Sequence, residues 1–119
     1  MNRFDRGVTI ASSVTLFIVL LSFSANGQAV TMEQYQHPKN ENDLNFNKAY
    51  LAGIRDGLID YNMSSETKLF CMPLNYVITF EQANDIAMRW AHKKSINADK
   101  LPLGLALLYG LKETFPCSK

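Results

Sequence analysis

The sequence predicts an all-α fold, a small helical bundle of three to four main helices with one disulfide. Apolar residues recur at helical spacing in three segments, which indicates amphipathic helices. Thr79 and Gln82 have the spacing of a capping box, a signal that opens a helix. The chain has two cysteines, Cys71 and Cys117. A covalent link between them would suit a bundle too small to bury a large core.

The N-terminus predicts a secretory signal peptide. Arg3 and Arg6 precede an apolar run of about 10 residues, and Gly27 and Ala29 fit a cleavage site after Ala29. An uncleaved membrane anchor is the alternative, but the run is shorter than the roughly 20 residues that span a bilayer. We therefore expect an exported protein without stable membrane insertion after cleavage.

The expected domain organisation has three parts. Residues 1–29 form the signal peptide, residues 30–42 form a polar, flexible lead-in with few apolar anchors, and residues 43–119 form the helical domain. Of the 12 basic and 11 acidic residues, Arg3, Arg6 and Asp5 precede position 30, which leaves ten of each sign. A net charge near zero argues against a nucleic-acid partner.

The first predicted helix covers residues 43–61, with Asp43 as its N-cap. Its apolar stripe is Phe46, Tyr50, Ile54 and Leu58, with Ala49 and Tyr61 beside it. Gly53 and Gly57 lie four residues apart, so another helix could approach closely there. That partner is expected to lie within the chain, and a second subunit is the alternative.

The second predicted helix opens at Thr79 and closes at Lys93 and Lys94, where cations suit the negative end of the helix dipole. Its predicted buried stripe is Phe80, Ala83, Ile86 or Ala87, and Trp90. In the connection before it, Tyr76–Ile78 could form a short strand, although no partner strand is evident.

The third predicted helix covers residues 100–115, capped by Asp99 or Asn97, with Pro102 in its first turn. Its predicted inward-facing residues are Leu101, Leu105, Leu108, Leu111 and Phe115. Other apolar residues make this helix apolar nearly all round, which indicates a central helix or an interface.

Two cysteines in an exported chain predict a disulfide. A bridge closing a loop of this length is expected to stabilise the fold by roughly 4 kcal/mol. A metal site and a reactive thiol are the alternatives. No metal is expected, because His37 and His92 have no recognisable ligand spacing.

Catalysis is not expected, because no specific constellation of reactive groups occurs. Asp56 and Asp60 are interpreted as a solvated helix face, and His92 as part of a cluster of cations at a helix end. No cofactor motif is present either. Binding is therefore the most plausible activity.

Four motifs together resemble the Rap/Tai family, the immunity proteins against amidases of type VI secretion. They are Phe46–Gly57 "FNKAYLAGIRDG", Phe70–Pro73 "FCMP", Thr79-x-x-Gln82, and Thr114–Cys117 "TFPC". The resemblance implies a small helical periplasmic protein, often dimeric, with a Cys71–Cys117 disulfide. It would bind a peptidoglycan-cleaving amidase toxin and occlude its cleft.

Two departures from the family pattern concern the connection and the cysteines. Asn47 stands where many relatives have a cysteine, so a second disulfide is not expected. The segment between "FCMP" and Thr79 is about two residues longer than usual, which leaves any contact carried over to it in doubt.

The toxin-binding residues are predicted in two polar loops, at residues 62–68 and 93–99. The candidates are Lys93, Lys94, Ser95 and Asn97 in one loop, and Ser64, Ser65 and Glu66 in the other. A periplasmic helical chaperone, or a housekeeping binding protein with no toxin partner, is the alternative function.

Overall fold

The computed structural model describes residues 28–94 and 97–118. Four α-helices run through them: α1 (Met32–Gln36), α2 (Glu41–Ser64), α3 (Phe80–Lys93) and α4 (Leu103–Thr114). A single 3-10 turn, Ala98–Lys100, precedes α4. No strand occurs within these ranges, and Cys71 is bonded to Cys117. The predictions of an all-α fold and of the disulfide are confirmed.

The predicted signal peptide lies outside the described residues, apart from Gln28 and Ala29. Within the part of the chain that is described, no helix is long and apolar enough to cross a membrane.

The start of the described chain is anchored on the segment that leads into α4. The N–H of Met32 donates to the carbonyl of Leu101 at 2.9 Å, and the N–H of Leu103 donates to the carbonyl of Val30 at 2.8 Å. Val30 and Met32 are buried, and Thr31 caps α1 with a capping box formed with Gln34. Two buried residues and a short helix therefore join residues 30–42, expected to be a flexible lead-in, to the bundle.

Helix α2 starts earlier and ends later than predicted. Its N-cap is Asn40, whose side-chain oxygen accepts from the N–H of Asp43 at 2.9 Å, so Asp43 is not the cap. The predicted stripe is also displaced. Phe46 is 59 % exposed, whereas Asn47 and Leu51 are buried. Tyr50, Ile54 and Leu58 still pack against the core from its edge.

The expected close packing at Gly53 and Gly57 within the chain is wrong. A Cβ atom added to either glycine would meet nothing within 4 Å. Both glycines are exposed on α2, so this face has no helix against it among the described residues.

The prediction for α3 is confirmed. Thr79 accepts from the N–H of Gln82, and the Gln82 side chain accepts from the N–H of Thr79 at 2.9 Å. Lys93 ends the helix and Lys94 is its C-cap. Its buried residues are Ala83, Ile86, Ala87 and Ala91, while Phe80 and Trp90 pack on the edge of the core.

Helix α4 begins three residues later than predicted, with Pro102 as its N-cap. The predicted caps are wrong as well, since Asn97 precedes the 3-10 turn and makes no side-chain cap. The buried face consists of Leu103, Ala106, Leu107, Gly110 and Leu111. Leu105 is 39 % exposed, so its predicted inward position is wrong. Full burial of each leucine side chain contributes about 1.5–3 kcal/mol to the stability of the fold.

Gly110 allows α3 and α4 to pack closely. A Cβ atom at Gly110 would lie 2.6 Å from Cγ2 of Ile86 and 2.9 Å from its carbonyl oxygen. Beside this contact, the rings of Trp90 and Tyr109 stack with their centroids 5.3 Å apart. The bundle core therefore depends on a small residue at position 110.

Gly110→Ala should lower the free energy of unfolding by about 1–3 kcal/mol, because the added methyl group collides with backbone as well as with a side chain. Gly53→Ala is the matched control. It adds the same group in open space on α2 and should raise the stability by up to about 1 kcal/mol. Urea unfolding of both variants measures the difference, and equal effects of the two substitutions would contradict this packing.

Candidate protein-binding surface

The connection between α2 and α3, residues 65–79, has no regular secondary structure and is held on the bundle by Asn62. This side chain is 5 % exposed. Its Nδ2 donates to the carbonyl of Phe70 at 2.8 Å, and its Oδ1 accepts from the N–H groups of Leu69 at 2.7 Å and Phe70 at 3.3 Å. One amide thus replaces the pairing that a strand would have given Leu69 and Phe70.

Lys68 holds the same connection from the other side. Its Nζ donates to the carbonyls of Asn62, Met63 and Ser65 at 2.8, 2.9 and 2.8 Å. The last carbonyls of a helix have no partner within the helix and carry its negative dipole end. Lys68 therefore completes the C-terminus of α2 and folds the chain back onto it.

The disulfide fixes the next part of the connection to the end of α4. The Cα atoms of Cys71 and Cys117 lie 4.9 Å apart, and the N–H of Cys71 donates to the carbonyl of Phe115 at 2.8 Å. The rings of Tyr76 and Phe115 lie 5.4 Å apart between centroids. Covalent, polar and aromatic contacts thus join residues 71–76 to residues 115–117.

A groove of about 630 Å³ lies along this connection, and we call it the connection groove. It is larger than the grooves of about 350–400 Å³ elsewhere on the described residues. Ile59, Phe70 and Met72 are among the apolar residues that line it. Three further lining residues project into solvent, since Leu74 is 95 %, Val77 78 % and Met63 69 % exposed.

A turn explains why Leu74 points outward. The N–H of Tyr76 donates to the carbonyl of Pro73 at 3.2 Å, and Asn75 has a φ of 62°. Asparagine tolerates this left-handed conformation better than other residues with a side chain. The turn places Leu74 at its tip and returns the chain to Ile78, which is 2 % exposed.

The predicted loop residues near α2 lie together at its end. Ser64 is the last helical residue, and its hydroxyl donates to the carbonyl of Tyr61. Ser65 is the C-cap, and its hydroxyl donates to the carbonyl of Thr67. Glu66 is exposed. Both serine hydroxyls therefore already have partners within the chain.

The other predicted loop lies at the end of α3. Lys93 pairs with Glu113 of α4, and the hydrogen bond from Lys93 lowers the pKa of the Glu113 carboxyl. Lys94 and Asn97 are exposed, and Ser95 lies outside the described residues. No hydrogen bond or ion pair within residues 28–94 and 97–118 joins this loop to the one at the end of α2.

The groups considered for catalysis are not brought together. Asp56 is paired with its neighbour Arg55 at 2.8 Å, while Asp60 and His92 are exposed on different helices. Across the described ranges, no group of three or more histidine, cysteine, aspartate or glutamate side chains is arranged to hold a metal ion.

The sequence reasoning missed the exposed apolar residues Leu74 and Val77, because it looked for polar loops. The sequence does contain a signal for them. Pro73-Leu74-Asn75 predicts a turn, and apolar residues in a turn do not belong to the buried stripe of a helix.

Comparison with known proteins identifies the family. Residues 23–117 match the family model of the Rap1a immunity proteins. The chain belongs to this family. No curated protein and no solved structure matches it. Membership of the Rap1a immunity proteins indicates a toxin-immunity role in which the protein binds a toxin partner, and such proteins are generally not enzymes.

Asn62→Ala should destabilise the Rap1a-family domain by about 2–4 kcal/mol, because it leaves the buried polar groups of Phe70 and the N–H of Leu69 without a partner. Asn45→Ala, on the exposed side of α2, is the control and should change the stability by less than about 0.5 kcal/mol. Urea unfolding monitored by circular dichroism measures both. Equal stability of the two variants would show that the Asn62 amide does not hold the connection.

Proposed function

We propose that this protein is a periplasmic immunity protein that binds and occludes a peptidoglycan-cleaving amidase effector of a type VI secretion system. The observation that carries the proposal is the match of residues 23–117 to the Rap1a immunity proteins. The four sequence motifs around Tyr50, Cys71, Thr79 and Cys117 support the finer assignment to an amidase target.

Inhibition by occlusion suits what the chain offers. It needs a surface of fixed shape and no reactive group. The disulfide and the Asn62 hydrogen bonds already order the connection groove, so little conformational entropy is lost when a partner binds there. With ten basic and ten acidic residues after position 29, affinity comes from contact rather than from net charge.

Periplasmic action is part of the proposal. The N-terminal pattern of residues 1–29 is that of a secretory signal, and disulfides persist in oxidising compartments such as the periplasm. The Cys71–Cys117 bond is consistent with this location.

A homodimer is also proposed, because the resemblance to the Rap/Tai family implies one. Analytical sedimentation of the native chain distinguishes a monomer from a dimer.

A periplasmic chaperone is the second candidate function. The exposed side chains of Met63, Leu74 and Val77 favour it, since exposed apolar patches also bind unfolded clients. A chaperone would bind many unfolded proteins, whereas an immunity protein binds one folded toxin.

The native chain should form a stoichiometric complex with a folded peptidoglycan amidase effector of type VI secretion and should stop that amidase from cleaving peptidoglycan. Calorimetry measures the complex, and release of cleaved peptide measures the inhibition. An unrelated unfolded protein is the control and should not bind. No complex with the amidase would contradict the proposal, and equal binding of the unfolded protein would favour the chaperone.

A further inference from the structure

We propose, resting on the immunity function above, that the connection groove is the surface that holds the toxin, and that its occupant is an extended, uncharged segment of the toxin with an apolar side chain lodged in the groove. Neither of the two polar loops predicted from the sequence includes Leu74, Tyr76 or Val77, the residues to which this proposal assigns the contact.

The first argument is the exposure of apolar side chains around a concave surface. Leu74 is 95 % exposed and Val77 78 % exposed, and both border a groove that is also lined by Ile59 and Met72. Burying two such side chains in a complex would remove their apolar surface from water and favour binding. Contiguous apolar surface of this kind marks a protein contact.

The second argument is the charge of the groove. Among the residues that the structure describes, no acidic residue lines it, and Lys68 is its one basic residue. The Lys68 ammonium donates to three backbone carbonyls, which use all of its donors. A charged side chain entering the groove would lose its hydration without gaining an opposite charge. The groove therefore favours an uncharged, apolar occupant.

The third argument is the backbone beside the groove. In the segment 72–78 the N–H of Tyr76 is bonded to the carbonyl of Pro73, but those of the exposed residues Leu74 and Val77 have no hydrogen bond to any described residue. An extended peptide can pair with such groups by adding a strand, while the groove takes an alternate side chain. The predicted but partnerless strand at Tyr76–Ile78 would find its partner in the toxin.

The fourth argument is that the surface keeps its shape. Asn62 fixes Leu69 and Phe70, and Cys117 fixes Cys71, so the groove wall is tied before its exposed part. After the exposed part, Ile78 is 2 % exposed and holds the chain on the core. A preformed site loses less entropy on binding than a flexible loop would. The exposed residues Leu74 and Val77 lie between Cys71 and Ile78.

The test compares the double variant L74S/V77S with the control L105S, which removes a partly exposed leucine from α4, away from the groove. Both are made in the full chain, exported and processed by the host, and the dissociation constant for the folded amidase is measured by calorimetry. We expect the double variant to bind about 100-fold more weakly, which corresponds to the loss of two apolar contacts. The control should bind within about threefold of the native chain.

Three outcomes would overturn the groove assignment. If the native chain binds the amidase and the double variant binds equally well, the toxin is held elsewhere, while the immunity function stands. If the double variant separates a homodimer but keeps its toxin affinity, the groove holds a second copy. If the native chain itself does not bind, the immunity proposal fails together with the groove.

Amide hydrogen exchange tests the extended segment separately. In the complex, the N–H group of Val77 should exchange at least about tenfold more slowly than in the free protein. The exposed amide of Glu66, outside the groove, is the internal control and should not change. Unchanged exchange at Val77 in a formed complex would overturn strand addition.

Discussion

The bond between Cys71 and Cys117 is the constraint on which the candidate surface depends. Residues 65–79 belong to no helix, and their shape is set by tethers at points along the chain. The disulfide holds Cys71 against the end of α4, and the Asn62 amide holds the two residues before it. On a chain-entropy view the disulfide contributes roughly 4 kcal/mol, while each Asn62 hydrogen bond contributes about 1 kcal/mol. Because Asn62 makes three such bonds, the polar tether contributes nearly as much as the covalent one.

These tethers make an exposed apolar surface compatible with a folded protein. A connection free to move would collapse Leu74 and Val77 onto the core to remove them from water. The turn at Asn75, the tether at Cys71 before it and the buried Ile78 after it prevent this, so the side chains remain in solvent. Under the proposed binding mode, a toxin that covers Leu74 and Val77 would recover the free energy that their exposure costs.

Local signals in the sequence predicted α3 best. Its capping box and its closing lysines act within a few residues, so no tertiary information was needed. The disulfide was also predictable, because only two cysteines and an export signal are involved.

The inward faces of α2 and α4 were harder to predict from the sequence. Asn47 is buried because its amide donates to the carbonyl of Gln34, a contact between two helices that no stripe of apolar residues reveals. Helix α4 is apolar on several sides, so its period could not show that Leu103 and Leu107, rather than Leu105, face the core.

The candidate surface was harder to predict than the fold, because it also depends on contacts between residues that are distant in the sequence. The polar loops at the ends of α2 and α3 were predicted from the sequence to bind the partner. In the structure, Ser64, Ser65 and Lys93 of these loops bond to other residues of the chain. The connection groove exists because distant residues meet, with Ile59 of α2 beside Met72 and Val77 of the connection.

The most direct test of the central constraint is the stability of the protein with and without the disulfide. Urea unfolding of the oxidised native chain and of the C71S/C117S variant, under the same conditions, measures the difference in free energy of unfolding. We predict that the variant is less stable by about 4 kcal/mol. Equal stability of the two proteins, or both sulfurs free in the native chain by mass spectrometry, would contradict the account.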